Sequence, residues 1–155
     1  MTRLAKIAKP DTCVITNIGT CHLENLGDRD GVLKAKTEIF RYVKKNIVLN
    51  GDDDKLSTVK GYNGIRPVFF GDNCAVTCEN VESRGLKGMS CDICIKGELA
   101  EGGEERFHVN IPMPGRHMVS NALAAAAIGR LYGLTAQEIK QGIESLEPVS
   151  GRFNM

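Results

Sequence analysis

Three short runs of uninterrupted apolar residues, Cys13-Val14-Ile15, Ile47-Val48-Leu49 and Val68-Phe69-Phe70, constrain the fold of this chain more than any other feature. A strand that is apolar on both of its alternating faces must be covered on both, which is the situation of a parallel sheet flanked by helices. Between the first two runs, Val32, Ala35, Ile39, Phe40 and Val43 recur at three- and four-residue spacing. That spacing predicts one helix from about residue 30 to residue 45, with Asp28 or Asp30 as its cap. Strand, helix, strand is the unit from which parallel sheets are built. The acidic residues of Asn50-Gly51-Asp52-Asp53-Asp54 suit the cap of a short helix running through Val59.

Beyond Phe70 the pattern changes. Segments near 74 to 82, 87 to 96 and 104 to 111 alternate polar and apolar residues, with a Gly/Glu-rich turn from Gly97 to Glu104. They predict a small antiparallel meander, half exposed to solvent. Pro112-Met113-Pro114-Gly115 interrupts it, and the alanine-rich stretch from Val119 to Leu131 predicts a closely packed helix. Thr135 and Glu138 form a capping-box pattern for a last helix to about Leu146, and residues 147 to 151 have the composition of a linker. The expected fold class is therefore α/β: a partial parallel sheet of the P-loop type with flanking helices, plus a small antiparallel β-meander.

The composition is that of an ordinary soluble domain, with 155 residues, 42% hydrophobic and a net charge of +1. No apolar run has the length of a signal peptide core or a membrane span, so the expected compartment is the cytoplasm and no membrane insertion is expected. Near-neutral charge and an aromatic fraction of 5% give no basis for nucleic acid binding. Cys91-Asp92-Ile93-Cys94 has zinc-ligand spacing. In a strand, however, positions three apart face opposite ways, so free thiols are the expectation for all six cysteines.

Lys36 is out of place. It sits within the apolar stripe of the predicted helix rather than beside Lys34, Thr37 and Arg41. Desolvation there would lower its pKa and favour a neutral, nucleophilic amine. Snorkelling of the ammonium to the helix edge is the other outcome that periodicity allows.

The linked motifs T-N-I-G-x-x-H-x-E-x-x-G, A-K-x-E-I-F, V-L-N-G-D-D, P-G-R-H-x-V-x-N-A-L-A-A-A-A and G-R-F resemble, in order and spacing, the central ATPase domain of the Mur ligases. Within that family the glycine after T-N-I and the H-L-E form most resemble the branch that adds D-alanyl-D-alanine to UDP-N-acetylmuramoyl-tripeptide. The resemblance implies ATP and Mg²⁺ as cofactors. It also implies formation of an amide bond through an acyl phosphate during peptidoglycan synthesis, with those two substrates as partners of the full-length enzyme. It makes His22 a Mg²⁺ ligand and Lys36 the lysine that CO₂ carbamylates, giving an anionic oxygen donor beside the metal. It assigns Asn121 to adenine, His117 and Gly115 to the same turn, and Arg152 to a hinge leading toward the ATP phosphates. Met118 departs from the family pattern, where asparagine is common. Asn50, Asp52 and Asp53 match the pattern but are equally explained as caps and turns. Glu38 suits a solvated face, and Glu24 a position near ligand or substrate.

The chain opens on a helix end at residues 3 to 8, contains no G-x-x-x-x-G-K-S/T, and ends at Met155 just past the linker pattern. It is therefore expected to be a piece of a larger ligase, inactive in isolation. Residues 1 to 150 would form a truncated central ATP-binding domain and 151 to 155 the start of the hinge. Another member of the superfamily, of the folylpolyglutamate or cyanophycin synthetase type, and a non-catalytic binding module remain open from sequence. The oligomeric state is also open.

Overall fold

The computed structural model describes residues 2–18 and 28–147, which form two compact units that divide after Phe70. In the first unit, helix α1 (Thr2–Ala8) precedes β1 (Thr12–Ile15), followed by α2 (Arg29–Thr37), β2 (Asn46–Asn50) and β3 (Pro67–Phe70). The three strands are parallel, with Cys13 opposite Ile47 and Leu49 opposite Phe69. Ile47, Val48 and Leu49 of the central strand are completely buried, as their uninterrupted apolar character requires. Cys13, Ile15, Val32, Phe40, Val43, Ile47, Leu49 and Leu56 share one core. Val14 points to the opposite side of β1 and is partly exposed.

The single helix expected from 30 to 45 is shorter. Asp28 caps α2, its carboxylate accepting the Gly31 amide at 2.9 Å, and the α-helical ladder stops at Thr37. The Thr37 hydroxyl donates to the carbonyls of Leu33 and Lys34, and the chain tightens into a 3₁₀ segment, Glu38–Tyr42. Side-chain competition for helical carbonyls of this kind bends and ends helices. The tightening still delivers Phe40 and Val43 to the core. The expected helix before Val59 is a single 3₁₀ turn, Leu56–Thr58.

The second unit holds β4 (Val76–Ser83), β5 (Met89–Lys96) and β6 (Glu104–Ile111), then α3 (Arg116–Leu131) and α4 (Ala136–Glu144). The strands form the expected antiparallel meander, with a bulge in β4 between Glu79 and Glu82. Only the outer strands are half exposed; β5, in the middle, is buried at all but Asp92 and Lys96. Ala122, Ala124, Ala126 and Ala127 bury the alanine-rich helix, and Gly129 lets Ile139 of α4 approach closely. The capping box of Thr135 and Glu138 is formed at both of its bonds.

The outward edge of β6 is covered by side chains of α4. Lys140 donates to the His108 carbonyl at 2.6 Å, and Glu144 accepts the Asn110 amide at 3.0 Å. These bonds occupy backbone groups that would otherwise present an open strand edge. No helix among the described residues is long and apolar enough to cross a membrane.

Candidate functional site

In a parallel sheet the loops after the strand carboxyl ends are where ligand sites form. In the first unit these are the segments after β1 and β2. Thr16, Asn17 and Ile18 leave β1 without regular structure, and side chains from elsewhere take up their backbone polar groups. Asn50 Nδ2 donates to the Thr16 carbonyl at 2.9 Å. Lys36 Nζ donates to the Asn17 carbonyl at 3.0 Å. The Ile18 amide donates to Asp53 Oδ2 at 2.7 Å, and Arg29 Nε donates to the Ile18 carbonyl at 3.2 Å.

Asp53 serves two segments at once. Its Oδ1 accepts the amides of Lys55 and Leu56 at 2.9 and 3.0 Å, capping the 3₁₀ turn, while Oδ2 holds Ile18. Its side chain is only 7% exposed. Asn50 Oδ1 accepts the Asp52 amide, which folds the turn after β2. Caps and turns thus account for Asn50 and Asp53, as their residue types allow, but both also reach across to the β1 loop.

Arg29 places its fork on Asp54 at 2.7 and 3.0 Å and lies 3.6 Å from Asp53. The paired hydrogen bonds hold the Asp54 carboxyl below its ordinary range and the Arg29 guanidinium above its own. Lys55 forms a further ion pair with Asp30 at 2.7 Å.

Lys36 is half-buried rather than desolvated. It leaves the α2 stripe next to Val32 and Ile39, but its four-carbon stem carries the nitrogen to the sheet edge, where the Asn17 carbonyl receives it. Of the two outcomes that periodicity allows, this geometry is the snorkelling one. Val14, Ile15, Thr16, Lys36 and Ile39 line a pocket of about 180 Å³ at this edge.

His22 and Glu24 lie outside the described residues, as does Arg152. Glu38 begins the 3₁₀ segment after α2 and is partly buried. Among the described residues no group of three or more His, Cys, Asp or Glu side chains converges as a metal cage. A protonated lysine cannot ligate a cation. Lys36 fits a metal only if its nitrogen is converted to an anionic oxygen donor, for which the lined pocket offers room.

The second unit brings together Gly115, His117, Met118 and Asn121 at the start of α3. Gly115 has φ +108, and a Cβ there would stand 2.7 Å from His117 Nδ1, so glycine is required for the imidazole to fold back over the turn. Asn121 is exposed one helical turn on, its amide directed to Met118 Sδ at 3.8 Å. Met118 itself is 9% exposed and fills core space. The N-terminal turn of α3 therefore presents His117 and Asn121 outward on a buried methionine.

Among the described residues the cysteines do not form a zinc module. Cys91 pairs with Val109 and Cys94 with Arg106 along β5, three residues apart on opposite faces. Burial pushes the Cys91 thiol to about 12 and that of Cys13 to about 11, which keeps both protonated. Cys13, Cys74, Cys78, Cys91 and Cys94 take part in no disulfide, and Cys21 lies outside the described residues.

The Mur ligase middle domain matches residues 1–129. The chain belongs to the Mur ligase family. It is 30% identical over 150 residues to UDP-N-acetylmuramoyl-tripeptide–D-alanyl-D-alanine ligase of Escherichia coli K12, a match covering 95% of this chain and 32% of that protein. Among solved structures it is similar to MurF from Acinetobacter baumannii, with a TM-score of 0.84 and 28% identity over 99% of this chain and 33% of that one. It is also similar to MurF from Thermotoga maritima in complex with ADP, with a TM-score of 0.77 and 27% identity over 99% of this chain and 34% of that one. The chain spans about a third of the length of these relatives. The α/β architecture, with a parallel sheet in one unit and an antiparallel meander in the other, is that of Mur ligase middle domains.

Sequence alone missed the Arg29–Asp54 fork and the double duty of Asp53. Their partners lie 25 and 35 residues away, so no local pattern marks them. It also missed the polar cluster on β5, where Asp92 accepts bonds from Asn80 and Arg106 and pairs with His108 at 2.8 Å. The signal for that cluster was one carboxylate inside an otherwise apolar strand.

Proposed function

We propose that this chain is the nucleotide- and metal-bearing middle region of a cytoplasmic, ATP-dependent ligase that joins D-alanyl-D-alanine to UDP-N-acetylmuramoyl-tripeptide through an acyl phosphate in peptidoglycan synthesis. The observation that carries it is the placement of the Lys36 nitrogen at the carboxyl edge of the parallel sheet, 3.0 Å from the Asn17 carbonyl, in a chain similar to MurF along nearly its whole length.

His22 and carbamylated Lys36 would hold Mg²⁺, which when bound offsets negative charge on phosphoryl oxygens and at the acyl centre. Lys36 supplies the nitrogen. After the ammonium gives up one proton, attack of the neutral amine on CO₂ would form the N–C bond, open one C=O π bond to an oxyanion and release a second proton, and the product keeps one N–H that can still donate to the Asn17 carbonyl. That bond would orient the nitrogen, and the pocket lined by Val14, Ile15, Thr16 and Ile39 has room for the new carboxylate. His117 and Asn121 would meet the adenine, with Asn121 offering both a donor and an acceptor to the ring edge. Arg152 would follow on the hinge toward the phosphates.

The test is phosphate release from ATP by the intact protein. Release should require Mg²⁺, UDP-N-acetylmuramoyl-tripeptide and D-alanyl-D-alanine together. Turnover with a glutamate or dipeptide acceptor of the folylpolyglutamate or cyanophycin type instead would overturn the substrate assignment. ¹³C-labelled bicarbonate should give a carbamate resonance that disappears in Lys36→Ala; an unchanged spectrum would remove the carbamate.

A further inference from the structure

The two sides of α2 meet different surroundings. Lys36 runs to the sheet edge, whereas Lys34, Thr37 and Arg41 line a second, larger pocket of about 470 Å³ together with the loop that follows the Leu56–Thr58 turn. Sites for small molecules have volumes of roughly 300–1,000 Å³. Part of the lining is apolar: Phe40 belongs to the core of the first unit, and Leu33 and Val59 pack against that core. The loop side is held by a tight turn in which Tyr62 and Ile65 exchange both backbone hydrogen bonds, at 3.2 and 2.9 Å. Gly61 has φ +120, and a Cβ there would collide with the Ile65 carbonyl oxygen, so the turn requires glycine. Tyr62 lines the pocket and is 43% exposed.

The charge around this pocket is one-sided. Lys34, Arg41 and Lys60 are exposed cations that form no ion pair among the described residues, and Glu38 is the single carboxylate in the lining. Three cations against one carboxylate leave a formal excess of two positive charges. Like charges gathered around a concavity repel one another, and a bound anion relieves that repulsion. The hydroxyls of Thr37 and Thr58 already donate to the carbonyls of Leu33 and Lys55, at 2.8 and 2.7 Å. The side-chain donors left for a ligand are therefore the three cations and the Tyr62 phenol. A phosphate monoester carries about −1.5 to −2 at pH 7, which matches the excess.

We propose that this pocket binds a small aromatic phosphate monoester, its phosphoryl group held by Lys34, Arg41 and Lys60 and its ring resting on Tyr62 and the apolar lining. Arg41 can offer two parallel N–H groups to phosphate oxygens, while the two lysines act as point charges. Stacking on Tyr62 favours a ligand with a ring over inorganic phosphate. The site lies wholly within the first unit and uses none of the residues assigned above to metal or adenine.

The test is calorimetric titration of the intact protein with phenyl phosphate, beside inorganic phosphate and benzyl alcohol. Phenyl phosphate should bind with a Kd on the order of 1 mM or below. The other two, each with half of the recognised chemistry, should bind at least about threefold more weakly. Lys34→Gln, Arg41→Gln and Lys60→Gln should each weaken phenyl phosphate about fivefold, the upper end for an exposed ion pair. Tyr62→Leu should weaken it about threefold and leave inorganic phosphate unchanged. All four residues are exposed, so these variants keep the fold. Lys87→Gln, at an exposed lysine of the second unit, should change nothing. Absence of phenyl phosphate binding, or binding untouched by the four pocket substitutions, would overturn the proposal. So would equal affinity for inorganic phosphate, or a loss in Lys87→Gln as large as in the pocket variants, which would mark unspecific attraction of anions.

Discussion

Replacing Asp53 by alanine should destabilise the first unit far more than a loop substitution ordinarily does. The carboxylate is nearly buried and accepts three backbone amides, those of Ile18, Lys55 and Leu56. Losing the cap of the 3₁₀ turn costs about 1 kcal/mol. Leaving the buried Ile18 amide without an acceptor costs about 1–3 kcal/mol more. The sum, about 2–4 kcal/mol, is a large share of the roughly 5–15 kcal/mol that holds a typical domain together. Asp53→Asn is the discriminating variant. Asparagine caps about as well as aspartate but has one acceptor oxygen, so it can keep the cap or the Ile18 bond and not both. It should lose about half as much as Asp53→Ala. Native-state exchange of the Ile47, Val48 and Leu49 amides, which report opening of the parallel sheet itself, measures both losses. A loss below about 0.5 kcal/mol in Asp53→Ala would refute the assigned hydrogen-bond roles, because it is what a surface change costs. Equal losses in the two variants would refute the division between cap and tether.

Gly88→Ala should cost about 3 kcal/mol or more, because φ is +117 and the new methyl would land on the Ile111 carbonyl oxygen, with the Met113 amide 2.8 Å away; thermal unfolding of the variant measures it, and a near-native midpoint would contradict the backbone contact. The Asp92 carboxyl is held at about 2 by bonds from Asn80, His108 and Arg106, below its ordinary value of 3.8. Its contribution to stability should therefore be complete above about pH 4 and vanish as the pH falls through about 2; a ¹³C carboxyl titration with a midpoint near 3.8 would refute this. Cys13 and Cys91 should be alkylated by iodoacetamide at pH 8 at least about a hundredfold more slowly in the native protein than in urea, since little of either is thiolate when buried; equal rates, read by mass spectrometry, would show that the thiols are accessible.

The elements were legible wherever the signal was local. Asp28 caps α2, and Thr135 with Glu138 forms a complete capping box, because each of these bonds spans only three residues. The Glu104–Ile111 strand coincides with its alternation. The length of α2 was not legible, because Thr37 ends it through a hydroxyl rotamer that periodicity does not encode. Nothing local marked whether Met118, which departs from the family pattern, would be exposed or buried; the structure buries it. Asp92 gave only the hint of a charge in an apolar strand; its partners come from two neighbouring strands.

What the sequence by itself determined is the set of local choices: three apolar strands, of which the central one is covered on both faces, the caps, the glycine at the entry to α3, and the ordered motifs of a Mur ligase. These follow from steric and hydrogen-bonding preferences acting within a few residues. Only the tertiary structure decided what joins the loops. It decided that Lys36 reaches a carbonyl at the sheet edge, that Asp53 holds the β1 loop as well as its own turn, and that Arg29 closes on Asp54. Those contacts connect residues 19 to 35 positions apart, or 25 for the ion pair. Their formation depends on where the parallel strands place their carboxyl ends, and no pattern within a single segment carries that placement.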